Sequence, residues 1–383
     1  MIKSIDTKNF LGFKTFKADE LTSVNVIIGP NDSGKTALLK LLYGVSKSLE
    51  DFQTNQSVIQ QAFKKVLSEK LLNTFQPRKN GLGELVNRSN SEKLSAEIMF
   101  DGNQVIHFSF GESTTTNIID CTEDSEINKQ PDQHNSIFVP AKEVLTAFDA
   151  IALTRERFNM IGFDDTYYDL ILDLRVPVQQ GRIISEFNKV NNELEELFEG
   201  TIIQGTKENP FLFKKGKTEY SMPLTAEGIK KIGILTTLIR NRRLKRNTFL
   251  FMDEPETALH PKAVRSLAEM IVMLGNAGVQ VFITSHNYFL IKQLAIIAKR
   301  DKTSIKCFSL LKEKDQPIVY DISDLQEGVP DNPIIKEALE MFNEEIKLED
   351  IPAHLEEIEI TLNDLKVKSI LEKGSVFSIF LPV

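Results

Sequence analysis

At 383 residues with 41% hydrophobic content, the chain is long enough to bury a full α/β core plus one insertion. Its net charge of −8 argues against unspecific coating of nucleic acid, because that affinity comes from neutralising phosphates. Cys121 and Cys307, the two cysteines, have no ligand spacing around them, which excludes a disulfide framework and a zinc site, and no apolar run is long enough to span a bilayer.

Met1-Ile2-Lys3-Ser4-Ile5-Asp6 lacks the apolar stretch of a signal peptide, so a reduced, cytoplasmic chain without a membrane partner is expected. A short amphipathic strand opens the chain, and the apolar run Val24–Ile28 reads as a buried strand. Directly after it come Gly29-Pro30-Asn31-Asp32-Ser33-Gly34-Lys35-Thr36 and then the helical Ala37-Leu38-Leu39-Lys40-Leu41-Leu42. Strand, glycine-bounded loop with Lys-Thr, then helix is the phosphate-loop pattern in the context that confirms it. Gly29 and Gly34 let successive backbone N–H groups turn inward onto phosphate oxygens, and the helix adds the positive end of its dipole. Lys35 reaches the β- and γ-phosphates and the Thr36 hydroxyl is a ligand for Mg2+. These residues predict a site for a nucleoside triphosphate.

Alternating residues on both sides of Asp101-Gly102-Asn103 predict a hairpin, Lys93–Phe100 with Gln104–Phe110. The polar stretch 111–133 reads as a mobile loop. From about Lys142 to Gly200 the pattern is helical, with Ile183, Phe187, Val190, Leu194 and Leu197 at alternating four- and three-residue steps. A stripe that short predicts a stubby helical arm, not a long rod. Since 218 positions separate Lys35 from Asp253, more than a compact mononucleotide core requires, that arm is the expected insertion. A second hairpin, Phe211–Lys214 and Lys217–Met222, leads to Leu224-Thr225-Ala226-Glu227-Gly228-Ile229-Lys230-Lys231, a helix start at which Thr225 is a cap. Arg240-Asn241-Arg242-Arg243-Leu244-Lys245-Arg246 is a basic run that either grips an acidic partner such as nucleic acid or simply ends a helix, where the dipole favours positive charge.

Phe249-Leu250-Phe251-Met252 reads as a strand buried on both faces, with Asp253-Glu254 at its carboxyl end, where ligands of open α/β sheets sit. Asp253 would hold Mg2+ through water and Glu254 would polarise the attacking water. The next apolar strand, Val279–Thr284, ends in Ser285-His286, and an imidazole there can hydrogen-bond the γ-phosphate or the attacking water. Asp321 and Asp324 read as surface acids rather than a metal pair. A turn-rich link, 324–333, precedes a helix over Ile334–Lys347, and Glu372–Val383 reads as a terminal strand although it is similar to the tail of histidine-kinase ATP-binding domains.

The run Asp253-Glu254-Pro255-Glu256-Thr257-Ala258-Leu259-His260-Pro261 resembles the Walker B and D-loop of ABC-type AAA family ATPases that include RecF, SMC and the overcoming-lysogenization-defect (OLD) proteins, and His286 matches their switch histidine. Ile2–Lys14, with Asn9-Phe10 after a short strand, is similar to the opening of the same group. Phe138–Leu145 and Phe163–Leu170 resemble the ATPase subunits of phage-defence systems, most closely the Septu type. The resemblance implies an α/β fold: a P-loop NTPase with an ABC-type two-lobed head, a mixed sheet with flanking helices, and a short helical arm. It implies lobe I over 1–141, the arm over 142–205, lobe II over 206–330 and an extension over 331–383. It further implies slow ATP hydrolysis with Lys35, Glu254 and His286 catalytic and with ATP and Mg2+ bound. A homodimer or higher oligomer is implied, each site closed by the Thr225–Gly228 loop of the other subunit, and a separate nuclease or effector partner. At that loop the family's serine is replaced by Ala226 or displaced to Thr225, which leaves the trans contact and a plain helix start as alternatives. A RecF-like clamp on duplex DNA is the second reading. A nuclease domain within this chain is not expected, since too few residues follow His286 to build one.

Overall fold

A computed structural model describes residues 1–55, 61–78, 81–89, 92–127, 134–157, 162–206, 209–313 and 316–348. The strand expected at Glu372–Val383 lies outside the described residues, as do 349–371 and 128–133.

The first half carries β1 (Ile2–Phe10), β2 (Phe13–Ala18), β3 (Val24–Ile28), α1 (Lys35–Asn55), α2 (Phe63–Phe75), β4 (Leu94–Phe100), β5 (Val105–Phe110), β6 (Asp120–Cys121) and β7 (Asn135–Val139). Three helices follow, α3 (Phe148–Glu156), α4 (Asp165–Arg175) and α5 (Ser185–Leu197), then the short strands β8 (Thr201–Gln204), β9 (Phe211–Lys215) and β10 (Thr218–Ser221). The second half alternates: α6 (Glu227–Arg240), β11 (Thr248–Asp253), α7 (Pro261–Asn276), β12 (Gln280–Ser285), α8 (Tyr288–Asp301), β13 (Lys306–Leu311), β14 (Val319–Asp324) and α9 (Pro333–Leu348).

The central sheet has six strands in the order β14-β13-β3-β12-β11-β7, all parallel except β14, which runs antiparallel to β13. Its inner strands need apolar residues on both faces, and the two faces serve different cores. Ile27, Phe249, Phe251 and Phe282 point to one core, shared with α1 and with the antiparallel sheet β2-β1-β4-β5-β6. Val26, Ile28, Leu250, Met252, Val281 and Ile283 point to the other, shared with α4 to α8. The unbroken hydrophobicity of these strands is therefore two alternating half-strands superimposed. The β4–β5 hairpin turns at Asp101-Gly102-Asn103, with Gly102 at φ 70°. Within 111–133, Leu82 N and Gly83 N donate to Thr115 O and Thr114 O at 2.9 and 2.7 Å, and β6 pairs with β5.

The helices of 142–205 lie on the body of the molecule. Leu170, Ile171, Leu174, Phe187, Val190 and Leu194 are all buried in the second core, with Ile183 and Leu197 packed against it. The stripe on α5 faces α6 and α7, while α4 lies against β7, α2 and α6. Charge fixes α4 to α1 and α2 as well. Lys40 pairs with Asp164, Lys70 with Asp165 and Asp169, and Tyr43 donates its hydroxyl to Asp169.

Candidate functional site

Three neighbouring strands, β3, β12 and β11, deliver the candidate residues to one edge of the sheet. The register pairs Ser285 with Ile28 and Asp253 with Thr284, so the phosphate loop, the histidine turn and the acidic pair leave the sheet at one level. That level is the carboxyl end of the parallel strands, where such folds hold ligands.

The loop 29–36 is tightly curled. Gly29 has φ 153°, and a Cβ there would lie 2.5 Å from Leu310 O, while Gly34 has φ 85° and a Cβ there would lie 2.8 Å from Ile318 Cδ1 and the Phe13 ring. Neither position has room for a side chain. Asp32 adopts φ 61° and pairs with Lys312, and Pro30 O accepts from Lys35 Nζ at 2.9 Å, as does Gly29 O at 2.9 Å. Asn31 is exposed at the tip of this loop. Ser33 Oγ is fully buried there without a hydrogen-bond partner among the described residues. Lys35 is 5% exposed; burial pulls its ammonium below the ordinary range, and Glu254, Asp253 and Glu256 oppose that shift.

Thr36 and Asp253 meet across the strands: Thr36 Oγ1 lies 2.9 and 3.1 Å from the two carboxylate oxygens. Thr284 Oγ1 donates to Asp253 Oδ1 at 2.6 Å, fixing that carboxylate from β12. Glu254 follows at φ 46°, a left-handed conformation rare for a glutamate. Its carboxylate is 2.9 Å from His286 Nδ1. The histidine is placed by the start of α8, where Asn287 caps the helix by accepting from Leu290 N at 3.3 Å. Lys35, Thr36, Asp253, Glu254 and His286 thus stand at the ends of three neighbouring buried strands.

Thr225 and Gly228 lie elsewhere in the chain's own frame. Thr225 Oγ1 donates to Ser221 O at 2.9 Å, and Gly228, in the first turn of α6, packs on the turn after β11. Ala226 is the N-cap residue of α6. Residues that sequence reasoning passed over are Thr284, Lys231, Glu256 and Ser285. Lys231 Nζ donates to Glu254 O at 3.0 Å, and Ser285 Oγ donates to Glu256 Oε1 at 2.6 Å. Burial raises the Glu256 carboxyl against the Ser285 hydrogen bond, and lowers the Lys231 ammonium against the nearby negative charges. Their signal was polarity where the pattern demands apolar residues: Thr284 and Ser285 at the end of a buried strand, Lys231 on the inner face of a helix.

The residues fit a triphosphate and a divalent cation. The orphaned Ser33 hydroxyl, a loop without room for Cβ atoms and a Thr36 hydroxyl on the Asp253 carboxylate form a site rich in donors beside a hard oxygen pair. Thr36 and Asp253 are the residues that would hold Mg2+.

Such a loop, an acidic pair one strand beyond its neighbour and a second, antiparallel sheet over α1 define a P-loop nucleoside triphosphatase with a two-lobed head. A family model described as "AAA domain, putative AbiEii toxin, Type IV TA system" matches residues 24–292, and the chain belongs to that family; it is an AAA-class ATPase. Among curated proteins it is similar to an "ATP/GTP phosphatase" of Helicobacter pylori (strain ATCC 700392 / 26695), 25% identical over 370 residues, which covers 83% of this chain and 94% of that one. It is also similar to the "Old nuclease" of Escherichia phage P2, 49% identical over 43 residues, covering 11% of this chain and 7% of that protein. Its fold resembles an Smc head solved bound to the C-winged helix domain of ScpA, with TM-score 0.54, 15% identity, and coverage of 85% of this chain and 98% of that one. The expected mixed sheet with flanking helices is the ABC-type head fold.

Proposed function

We propose that this ATPase closes two copies of itself around ATP and uses hydrolysis to govern a partner effector, a nuclease being the favoured kind, in bacterial defence against phage. The observation that carries the hydrolytic part is the convergence of Lys35, Thr36, Asp253, Glu254 and His286 at one sheet edge. The defence part is supported by the likeness of 138–145 and 163–170 to Septu-type ATPase subunits, by the toxin–antitoxin description of the family and by the short match to the Old nuclease. Lobe I over 1–141, helical insertion over 142–205, lobe II over 206–330 and extension over 331–383 remain the proposed division.

In this reading the N–H groups of 29–36 and the start of α1 bind the phosphates, and Lys35 neutralises charge on the β- and γ-phosphoryl oxygens. Thr36 and Asp253 would hold Mg2+, which would offset the charge that develops during phosphoryl transfer. Glu254 Oε1 accepts a proton from the attacking water, and His286 Nδ1, 2.9 Å away, orients that carboxylate and senses the γ-phosphate. The Thr225–Gly228 segment presents the N-terminus of α6 to the nucleotide of the second copy. Glu254→Gln should bind ATP and hydrolyse it at least a hundredfold more slowly, measured as released phosphate; parent-rate hydrolysis would remove Glu254 as the base. Repeating the assay with GTP tests whether the triphosphate preference is broad, as the name of the Helicobacter pylori relative suggests for that protein.

The RecF-like reading relied on Arg240–Arg246. Each of these guanidinium groups has a partner within the chain: Arg240 in Thr201 Oγ1 and Ile202 O, Arg242 in Gln180 O, Arg243 in Asp173, and Arg246 in an exposed pair with Glu186. A run already bonded internally offers little to a phosphate backbone, so the effector reading is preferred. No helix among the described residues is long and apolar enough to cross a membrane.

A further inference from the structure

Glu254 is held in its left-handed conformation by five hydrogen bonds to its backbone, one of them the turn's own, from Thr257 N–H to the Glu254 carbonyl oxygen at 3.2 Å. Its N–H lies 3.1 Å from Thr284 Oγ1 and 3.2 Å from Thr284 O, and its carbonyl oxygen accepts from Thr257 Oγ1 at 2.9 Å and from Lys231 Nζ at 3.0 Å. A glutamate keeps φ 46° only when its surroundings over-determine it, so these donors set where the carboxylate points. Four belong to β12 or to the turn itself. The fifth, Lys231, comes from α6.

A second contact joins the same helix to the same turn. A Cβ on Gly228 would lie 2.9 Å from Leu259 Cδ2 and 3.0 Å from Ala258 O, so the first turn of α6 rests against residues 258 and 259 with no spare space. Below it Lys231 is 7% exposed, its ammonium bonded to the Glu254 carbonyl oxygen and drawn by the negative charge of Glu256, Glu254 and Asp253. Glu256 continues the chain of contacts. It accepts from Ser285 Oγ at 2.6 Å, and that oxygen accepts from Asn287 N at 3.0 Å, so the bonds bracket His286 from both sides. An ammonium buried this deeply is retained at a desolvation cost that an apolar side chain of the same length would avoid.

We propose that Lys231 is a positioning residue through which α6 controls the general base, so that the helix start facing the second copy sets the orientation of Glu254 in its own site. The inference rests on the proposed roles of Glu254 and of the α6 N-terminus. Lys231 touches no reacting atom; it acts on the backbone that aims the carboxylate. Packing at Gly228 conveys the movement of α6, and the Lys231–Glu254 bond delivers it. Closure around a nucleotide bound between two copies would then raise turnover without a change in the residues that bind the phosphates.

The test separates binding from chemistry. Lys231→Met keeps the length of the side chain and removes its donor; kcat should fall tenfold or more while ATP affinity, titrated directly, stays within about twofold. Lys231→Arg, which restores a charged donor, should recover most of the lost kcat. A Lys231→Met protein with the parent kcat overturns the inference. Should Lys231→Met lose ATP binding too, Thr257→Val decides, since it removes the other side-chain donor to the same carbonyl at an exposed position. That variant should lose about threefold or more in kcat with affinity kept, and an unchanged kcat overturns the inference. Glu254→Gln is assayed in parallel: if it turns over at the parent rate the base assignment itself fails, whereas an inactive Glu254→Gln beside a fully active Lys231→Met refutes only the role of Lys231.

Discussion

Gly34 shows how much a single position can demand. Its φ of 85° disfavours any side chain, and the Phe13 ring and Ile318 Cδ1 occupy the place where a Cβ would stand. Gly34→Ala should therefore cost about 2 kcal/mol in equilibrium urea unfolding and also abolish ATP binding; a variant that keeps its affinity would show that the loop tolerates reshaping. Thr36→Ala makes a different prediction, because Thr284 still holds Asp253 and the loop keeps its backbone. Stability should change by under about 1 kcal/mol while the Mg2+ concentration needed for half-maximal hydrolysis rises at least tenfold. Equal Mg2+ dependence in the two proteins would remove Thr36 from the metal site. The phosphate loop was legible in the sequence because its chemistry is contiguous and dictates residue types at fixed spacing. Lys231 was not, because its partner is a carbonyl, and a carbonyl leaves no mark on the residue that carries it.

Between elements, the contact of α4 with α1 and α2 carries buried charge. Lys70, with its side chain 11% exposed, serves Asp165 at 3.0 Å and Asp169 at 2.9 Å, and the opposing charges outweigh burial in raising its ammonium. Lys70→Met would leave Asp165 with Arg155 and Asp169 with the Tyr43 hydroxyl but without their shared ammonium, and the expected loss is about 3 kcal/mol of unfolding free energy; a loss under about 1 kcal/mol would show that the remaining partners suffice. Further along α4, burial pushes the Asp173 carboxyl up to about 6, against the pull of Arg243 at 2.6 Å. A raised acid binds its proton more tightly in the folded chain, so its contribution to stability is lost as pH rises from about 4 to about 6. Asp173→Asn should flatten that part of the stability curve by roughly 2 kcal/mol, and an unchanged slope between pH 4 and 6 would place the titration elsewhere. The sequence announced α5 by its stripe of Phe187, Val190 and Leu194. It did not announce what the stripe would cover, since a repeat of apolar positions records a buried face and not the identity of the neighbour. The charge ladder on α4 was silent for a related reason: Asp164, Asp165, Asp169 and Asp173 look like a solvated surface until α1, α2 and Arg243, after α6, supply their cations.

At the scale of the whole molecule, one chain assembles Lys35, Thr36, Asp253, Glu254 and His286 but leaves the start of α6 turned to its own turn after β11 rather than to its own phosphate loop. Two large apolar side chains stand in the open beside these residues in the chain: Leu224, 79% exposed, directly before Thr225, and Phe289, 51% exposed, three residues beyond His286. Apolar groups next to a polar catalytic edge are expected where a second copy covers them. We therefore predict that Glu254→Gln with ATP and Mg2+ sediments as twice the mass of the ADP-bound protein, because slow hydrolysis keeps the γ-phosphate in place and with it the closed pair. Leu224→Glu in that background places a charge in the contact without touching the phosphate loop, and it should weaken ATP-driven assembly at least tenfold while each monomer still binds ATP. Assembly of Glu254→Gln that is equal with ATP and ADP would mean that the nucleotide does not drive pairing. Assembly that survives Leu224→Glu unchanged would move the contact away from the start of α6, and with it the route by which a second copy could reach Glu254.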